Sequence, residues 1–575
     1  MWRLMLTVLC VVGLTNCDDS EWRQVHTAQG DVRGRKDPDG GLYTFHNIPY
    51  ATAPLGADRF KAPLPPPVWL EPLEAVDKGI VCIQTPTPII DVNSKTMQED
   101  CLIASVYVPD TDDKNLPVIV YVHGGAFELG YGHLMTPKNL VKNKKVIVVT
   151  FNYRLGVHGF LCLGTKDAPG NAGMKDQVAL LRWVNKNIAN FGGNPDDVTI
   201  AGYSAGSISV DLLMLSKSAE GLFNKVIPES GAAVGYISIQ PDPLENARTY
   251  AKKFNFTDVN DLNALEEFYK NTPLKSLVRS TFLEDGSALF VPCVERKTNN
   301  QAFLDDFPIN IIKKGDYKKV PYLIGISNME GSLQKDGLTK VKDVMNAKFS
   351  KFLPPDLHFE NEEEKEEISK QVKEFYFGDQ PVGEDTILAY VDYFGDTFFG
   401  YPTLRSVKLH VEAGHDQIYL YEYSFVDDST PVIPFTNERR AEHCAQTAAV
   451  LDGFGPKIES ISEERKQMTT TMRQMWYNFA VHGKPVPEGS SLPAWPVAGA
   501  DGGPYMSLGQ LVKLDEVFLG ERGKFWDDIY QRYYRQSVPG ARGTLRAAFS
   551  GQLLVGPQLR WPQIVLAERS RFLSV

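Results

Sequence analysis

The sequence predicts an α/β fold with a large, mostly parallel central sheet flanked by helices. Two patterns carry that expectation. The runs Pro117 to Val122, Val146 to Phe151 and Val198 to Ala201 are short, apolar and β-branched. Runs apolar on both faces suit the inner strands of a parallel sheet. Between the last two, Val178, Leu181, Val184, Ile188 and Phe191 recur at spacings of three and four, and Gly192-Gly193 then stops the pattern. That spacing marks an amphipathic helix. Strand, helix, strand is the unit from which α/β sheets are built.

Further along, Tyr322 to Ser327 and Gln417 to Phe425 are candidate strands. The stretch 331–400 is charged and reads as irregular, with EEEKEE near 362–367 as a solvated helical face. At 575 residues, 43% apolar and 11% aromatic, the chain can bury a core that does not need disulfides as its main staple. A net charge of −11 with no dominant basic stripe excludes nucleic acid as a natural partner. The balance suits neutral or cationic small molecules better.

The N-terminus reads as a leader. Arg3 precedes an apolar run from Leu4 to Leu14, too short to span a bilayer but suited to a signal peptide over residues 1–17. No later run reaches ~18 apolar residues, so no stable membrane insertion is expected. Secretion of the mature chain, 18–535 as one catalytic domain, is therefore expected. Residues 536–575, with five Arg and no Lys, read as an atypical basic tail.

Without Cys10 and Cys17, five cysteines remain: Cys82, Cys101, Cys162, Cys293 and Cys444. An odd number leaves at least one free thiol. Cys82 and Cys101 are the nearest pair in sequence, and a bridge there would be worth ~3 kcal/mol. Two free core cysteines are the alternative. Asn255-Phe256-Thr257 is a glycosylation sequon, which makes Asn255 a candidate modified residue.

The sharpest chemical signal is Gly202-Tyr203-Ser204-Ala205-Gly206. It follows the run Val198 to Ala201 and opens the apolar stretch ISVDLLML. A strand-to-helix turn this tight needs glycine two before and two after the serine, and it holds the hydroxyl exposed at a helix N-terminus. Ser204 is therefore the candidate nucleophile. His123-Gly124-Gly125-Ala126 follows another strand, and the amides of Gly124, Gly125 and Ala205 are candidate oxyanion donors. There is no metal-binding motif, and neither metal nor organic cofactor is expected.

At these residues the chain resembles the type-B carboxylesterases, which include cholinesterases and many insect esterases. The resemblance spans roughly residues 22–535. It rests also on Ile48-Pro49-Tyr50-Ala51 through Arg59-Phe60, Glu99-Asp100-Cys101-Leu102, Asn152-Tyr153-Arg154-Leu155-Gly156, Pro169-Gly170-Asn171, Phe191-Gly192-Gly193-Asn194-Pro195 and Trp476-Tyr477-Asn478-Phe479-Ala480. It implies the α/β-hydrolase fold, a Cys82–Cys101 disulfide, and structural ion pairs Arg59–Glu99 and Arg154–Asp176. It implies the chain order serine, acid, histidine, with Glu330 in Asn328-Met329-Glu330-Gly331 as the acid that fixes the histidine tautomer.

Five histidines follow Ser204: His358, His410, His415, His443 and His482. His443, in Glu442-His443-Cys444, falls where the family places its catalytic histidine; His415 is the main competitor. Gln446 stands where an acid is common. Tyr203 replaces the glutamate usual before the nucleophile in cholinesterases, and the glutamine typical of juvenile hormone esterases. The loop between Cys82 and Cys101 has no Trp, Tyr or Phe. Cholinesterases hold a quaternary ammonium on a Trp there, so poor choline-ester turnover is expected. The resemblance thus implies a secreted serine hydrolase of small or lipophilic carboxylic esters acting through an acyl-enzyme. An ester scavenger of low turnover and a non-catalytic adhesion protein are the rivals.

Overall fold

The computed structural model describes residues 21–535 apart from 88–89, 91, 280, 282–287, 297–301 and 454–460, and fifteen strands lie among the described residues. The expected leader and basic tail lie outside them. In chain order the strands are β1 Trp22–Thr27, β2 Gly30–Lys36, β3 Leu42–Pro49, β4 Leu73–Glu74, β5 Ile80–Cys82, β6 Thr96–Gln98, β7 Ile103–Pro109, β8 Leu116–Val122, β9 Ile147–Phe151, β10 Gly193–Tyr203, β11 Lys225–Glu229, β12 Tyr322–Ser327, β13 Ile418–Tyr423, β14 Tyr505–Leu508 and β15 Val512–Asp515.

Thirteen of them form one sheet in the order β1-β2-β3-β7-β9-β8-β10-β11-β12-β13-β14-β15, with β4 beside β2. From β9 to β14 every pairing is parallel, and the flanking strands pair antiparallel except for short β4, which runs parallel to β2. The expected α/β class therefore holds, with antiparallel ends.

Strand β8 shows why its sequence has no polar face. Val118, Val120 and Val122 enter one buried apolar cluster, and Ile119 and Tyr121 enter another on the opposite face. Helices cover both sides, so period-two alternation is lost. The expected central helix runs Ala172–Asn187, continues as a 3₁₀ turn Ile188–Phe191, and ends at Gly192 with φ 95°. Strand β10 is longer than its apolar run because Gly193 already pairs with Leu116, ahead of an irregularity that ends at Val198.

The stretch 331–400 corrects the sequence reading, because it is largely helical. It holds the 3₁₀ helix Glu330–Gly337, the helices Leu338–Ala347, Glu362–Phe377 and Ile387–Gly395, and the π-turn Asp396–Gly400. Ile387, Val391 and Phe394 repeat at helical spacing and are buried. Apolar residues run almost unbroken through Ile387–Gly395, so no polar face marks the helical period there. The acidic run is the exposed start of Glu362–Phe377, where Asn361 accepts the Glu364 N–H at 2.8 Å. Three glutamates in that first turn complement the helix dipole.

Candidate active site

Ser204 sits at the junction of β10 and the helix Ala205–Leu215, with φ 54° and ψ −122°. Its amide donates to the Glu229 carbonyl at 2.8 Å. A non-glycine residue at positive φ is strained, and such strain clusters at functional turns. The flanking glycines are required by space. A Cβ on Gly206 would lie 2.1 Å from the Val122 carbonyl oxygen, and one on Gly202 would lie 2.4 Å from the Gly206 oxygen. The turn is thus wedged against the end of β8.

The loop after β8 lies against the same turn. A Cβ on Gly124 would meet the Tyr203 carbonyl oxygen at 2.6 Å and the Ser204 Cβ at 3.0 Å. Gly125 has φ 113°, and Ala126 and Phe127 follow at 54° and 60°. His123 anchors the loop: its Nδ1 bonds the Gly124 carbonyl at 2.8 Å, and its ring stacks on Tyr153 at 4.4 Å. Burial lowers the His123 pKa to about 4, so the ring is neutral and Nδ1 is the donor. The structure therefore places Gly124 beside Ser204. It places Ala205 at the first position of the helix, where amides have no intrahelical acceptor.

Tyr203 is buried and stacks on Tyr121 at 6.2 Å, with ring planes 10° apart. Burial pushes its phenol up, and nearby Cys444 adds to that push. The residue before Ser204 is therefore uncharged.

Glu330 and His443 meet, although 113 residues separate them. Glu330 begins the 3₁₀ turn after β12, and its side chain is buried. Its Oε2 bonds Nδ1 of His443. Its Oε1 accepts the Ser230 hydroxyl at 2.5 Å and the Ser327 amide at 2.6 Å. The His443 turn is pinned to the acid turn by the Met329 amide on the Ala441 carbonyl, at 3.0 Å, and by its own amide on Ser332 Oγ, at 2.9 Å. With Nδ1–H given to the carboxylate, Nε2 is the nitrogen left with a lone pair. It is buried and has no hydrogen-bond partner among the described residues. Phe399, on the π-turn, lies against the imidazole with ring centroids 4.5 Å apart.

His415 does not join this group. It is buried elsewhere, with Nε2 donating to the Val320 carbonyl at 2.7 Å and Nδ1 near the Tyr317 hydroxyl. His482 is the last residue of the helix Glu463–His482. The ion pairs expected from the sequence are both present. Arg154 binds Asp176 through two nitrogens at 2.6 and 2.8 Å, and Arg59 stands 3.7 Å from Glu99. They brace loops and do not touch Glu330 or His443.

Cys82 and Cys101 form a disulfide at the end of the short β5–β6 ladder. A second disulfide, Cys162–Cys293, went unread in the sequence because nothing local links residues 131 apart. Cys444 is free and buried. Ser230, Ser327, Glu229 and Phe399 were also missed. Their only local signal is position, at the end of a strand or in a turn that the sheet order brings to the site. Asn255 is exposed, at φ 60°.

The model of the Carboxylesterase family matches residues 21–526. Acylcarnitine hydrolase of Rattus norvegicus is 31% identical, over 92% of this chain and 94% of that protein. Juvenile hormone esterase of Heliothis virescens is 32% identical, over 82% and 87%. The crystal structure of juvenile hormone esterase from Manduca sexta, with OTFP covalently attached, superposes with a TM-score of 0.79 at 29% identity, covering 89% of this chain and all of that one. The chain belongs to the carboxylesterase family, with the α/β-hydrolase fold of its structural relatives, and is a carboxylic-ester hydrolase.

Proposed function

We propose that this protein is a secreted serine esterase that cleaves small or lipophilic esters through an acyl-enzyme. The observation that carries the reading is the Glu330–His443 bond, with Nε2 left open, on the same sheet edge as the strained Ser204 turn. In this reading Ser204 Oγ attacks the ester carbonyl and His443 Nε2 takes its proton. Glu330 fixes the tautomer and stabilises the imidazolium. The amides of Gly124, Gly125 and Ala205 hold the oxyanion. The alcohol leaves with the proton from His443, and water then repeats the path on the acyl-enzyme.

The covalent attachment of OTFP to the Manduca sexta juvenile hormone esterase supports a covalent step in this reading. The signal-like residues 1–17, the two disulfides and the exposed sequon at Asn255 support secretion and glycosylation. Uncharged Tyr203 and the absence of an aromatic residue between Cys82 and Cys101 favour neutral esters over choline esters.

Multiple-turnover kinetics on a short-chain aryl ester test the reading, with Ser204→Ala alongside. Steady turnover by the wild type and none by the variant is the expected result. A single burst points to a scavenger, and no reaction with either ester or a serine-directed phosphonate overturns the esterase assignment.

A further inference from the structure

Glu229, the last residue of β11, and Ser230 after it contact two of the three candidate reacting groups directly. The Glu229 carbonyl accepts the Ser204 amide at 2.8 Å, and the Ser230 hydroxyl donates to Glu330. The Glu229 side chain serves neither of those contacts. It is wholly buried and accepts the Thr447 hydroxyl on Oε2 at 2.6 Å and the Tyr421 hydroxyl on Oε1 at 2.7 Å. Thr447 lies in the helix Ala445–Val450, which starts two residues after His443. Gln446 of the same helix donates to Ser230 Oγ at 2.5 Å. A buried carboxyl costs stability unless its oxygens are satisfied, so one this deep is a commitment of the fold.

We infer that Glu229 is a positioning residue: its main chain holds the Ser204 turn while its side chain holds the helix that follows His443, so the two keep their mutual distance. The inference rests on the assignment of Ser204 and His443 as reacting groups. Burial pushes the Glu229 carboxyl up to about 7, against the pull of the Thr447 and Tyr421 hydroxyls, and nearby Glu330 pushes the same way as burial. The side chain thus depends on those hydroxyl donors rather than on a salt bridge.

Three variants test it on the full chain: Glu229→Gln, Thr447→Val and Thr447→Ser. On a short-chain aryl ester, the first two should lower kcat about ten-fold with KM within two-fold. Thr447→Ser, which keeps the hydroxyl, should retain wild-type kcat. The double variant Glu229→Gln/Thr447→Val should lose less than the product of the two single losses, because both remove one contact. A substrate-free readout is the low-field proton NMR resonance of the Nδ1–H shared by His443 and Glu330, expected to shift in Thr447→Val and not in Thr447→Ser. If that resonance shifts but the wild type turns over no ester, the functional reading falls and the brace stands. If kcat and the resonance both stay at wild-type values in Glu229→Gln and Thr447→Val, the brace is overturned.

Discussion

Ser230 donates its hydroxyl to Glu330 Oε1 at 2.5 Å, on the carboxylate whose other oxygen holds His443. Ser230 stands at φ 61°, so its backbone is bent to make this contact. Hydrogen bonds to charged groups contribute about 1.5–3 kcal/mol. Ser327 supplies a second donor to the same oxygen, which cushions the loss. Ser230→Ala is therefore expected to lower kcat by about ten-fold with little change in KM, read by steady-state ester hydrolysis. A variant with wild-type kcat would show that the Ser327 amide suffices.

Gly124 touches the Ser204 turn and carries no side chain because none fits. In Gly124→Ala the new methyl must displace the Tyr203 carbonyl or Ser204. The expected result is a drop in kcat of at least ~100-fold, the scale of one lost oxyanion donor. Far-UV circular dichroism and melting temperature should stay close to wild type, since the loop lies at the sheet's end. Gly206→Ala, aimed at the Val122 backbone, should instead compromise folding, and soluble yield would report it.

Glu128 is buried in the loop after Gly125 and accepts the Thr281 amide at 2.9 Å. Burial raises its pKa to about 8, far above the ~4.3 of a free glutamate. The folded state therefore holds a proton that the unfolded chain has lost between those pH values. Stability falls as pH rises from about 4 to about 8 on this account. Glu128→Gln removes the titration and keeps an acceptor for Thr281. Its melting temperature should exceed wild type by more at pH 9 than at pH 5. An equal difference at both would show that Glu128 does not titrate in that window.

The Cys162–Cys293 bridge closes 131 residues of chain that contain Ser204 and both its glycines. Loop entropy assigns a bridge of that span about 3–5 kcal/mol. Gly170 packs against both sulfurs, where a Cβ would lie 2.7 Å from each. Cys162→Ala/Cys293→Ala should lower the denaturant midpoint accordingly and should abolish the sensitivity of that midpoint to reductant that exceeds the Cys82–Cys101 contribution. An unchanged midpoint would show that the unfolded chain gains nothing from release.

Much of this protein is legible in residues that are neighbours in the chain. The apolar runs of β8, β9 and β12, the helix after Asn171 and the Gly-x-Ser-x-Gly turn depend on period and on local backbone demands, so composition and spacing reveal them. Where apolar residues run almost unbroken, as in Ile387–Gly395, no polar face marks the helical period and local reading failed. The choice of His443 over His415 lay beyond local signals, and so did the Cys162–Cys293 pair and the acceptor roles of Glu229 and Glu330. Those depend on which strand ends the sheet order sets side by side. Contacts between residues a hundred or more apart follow from how strands pair and how helices cover them, and no local period records that. Five consecutive residues suffice to specify the turn that presents Ser204; the carboxylate, the imidazole and the second disulfide around it are chosen only when the sheet is assembled.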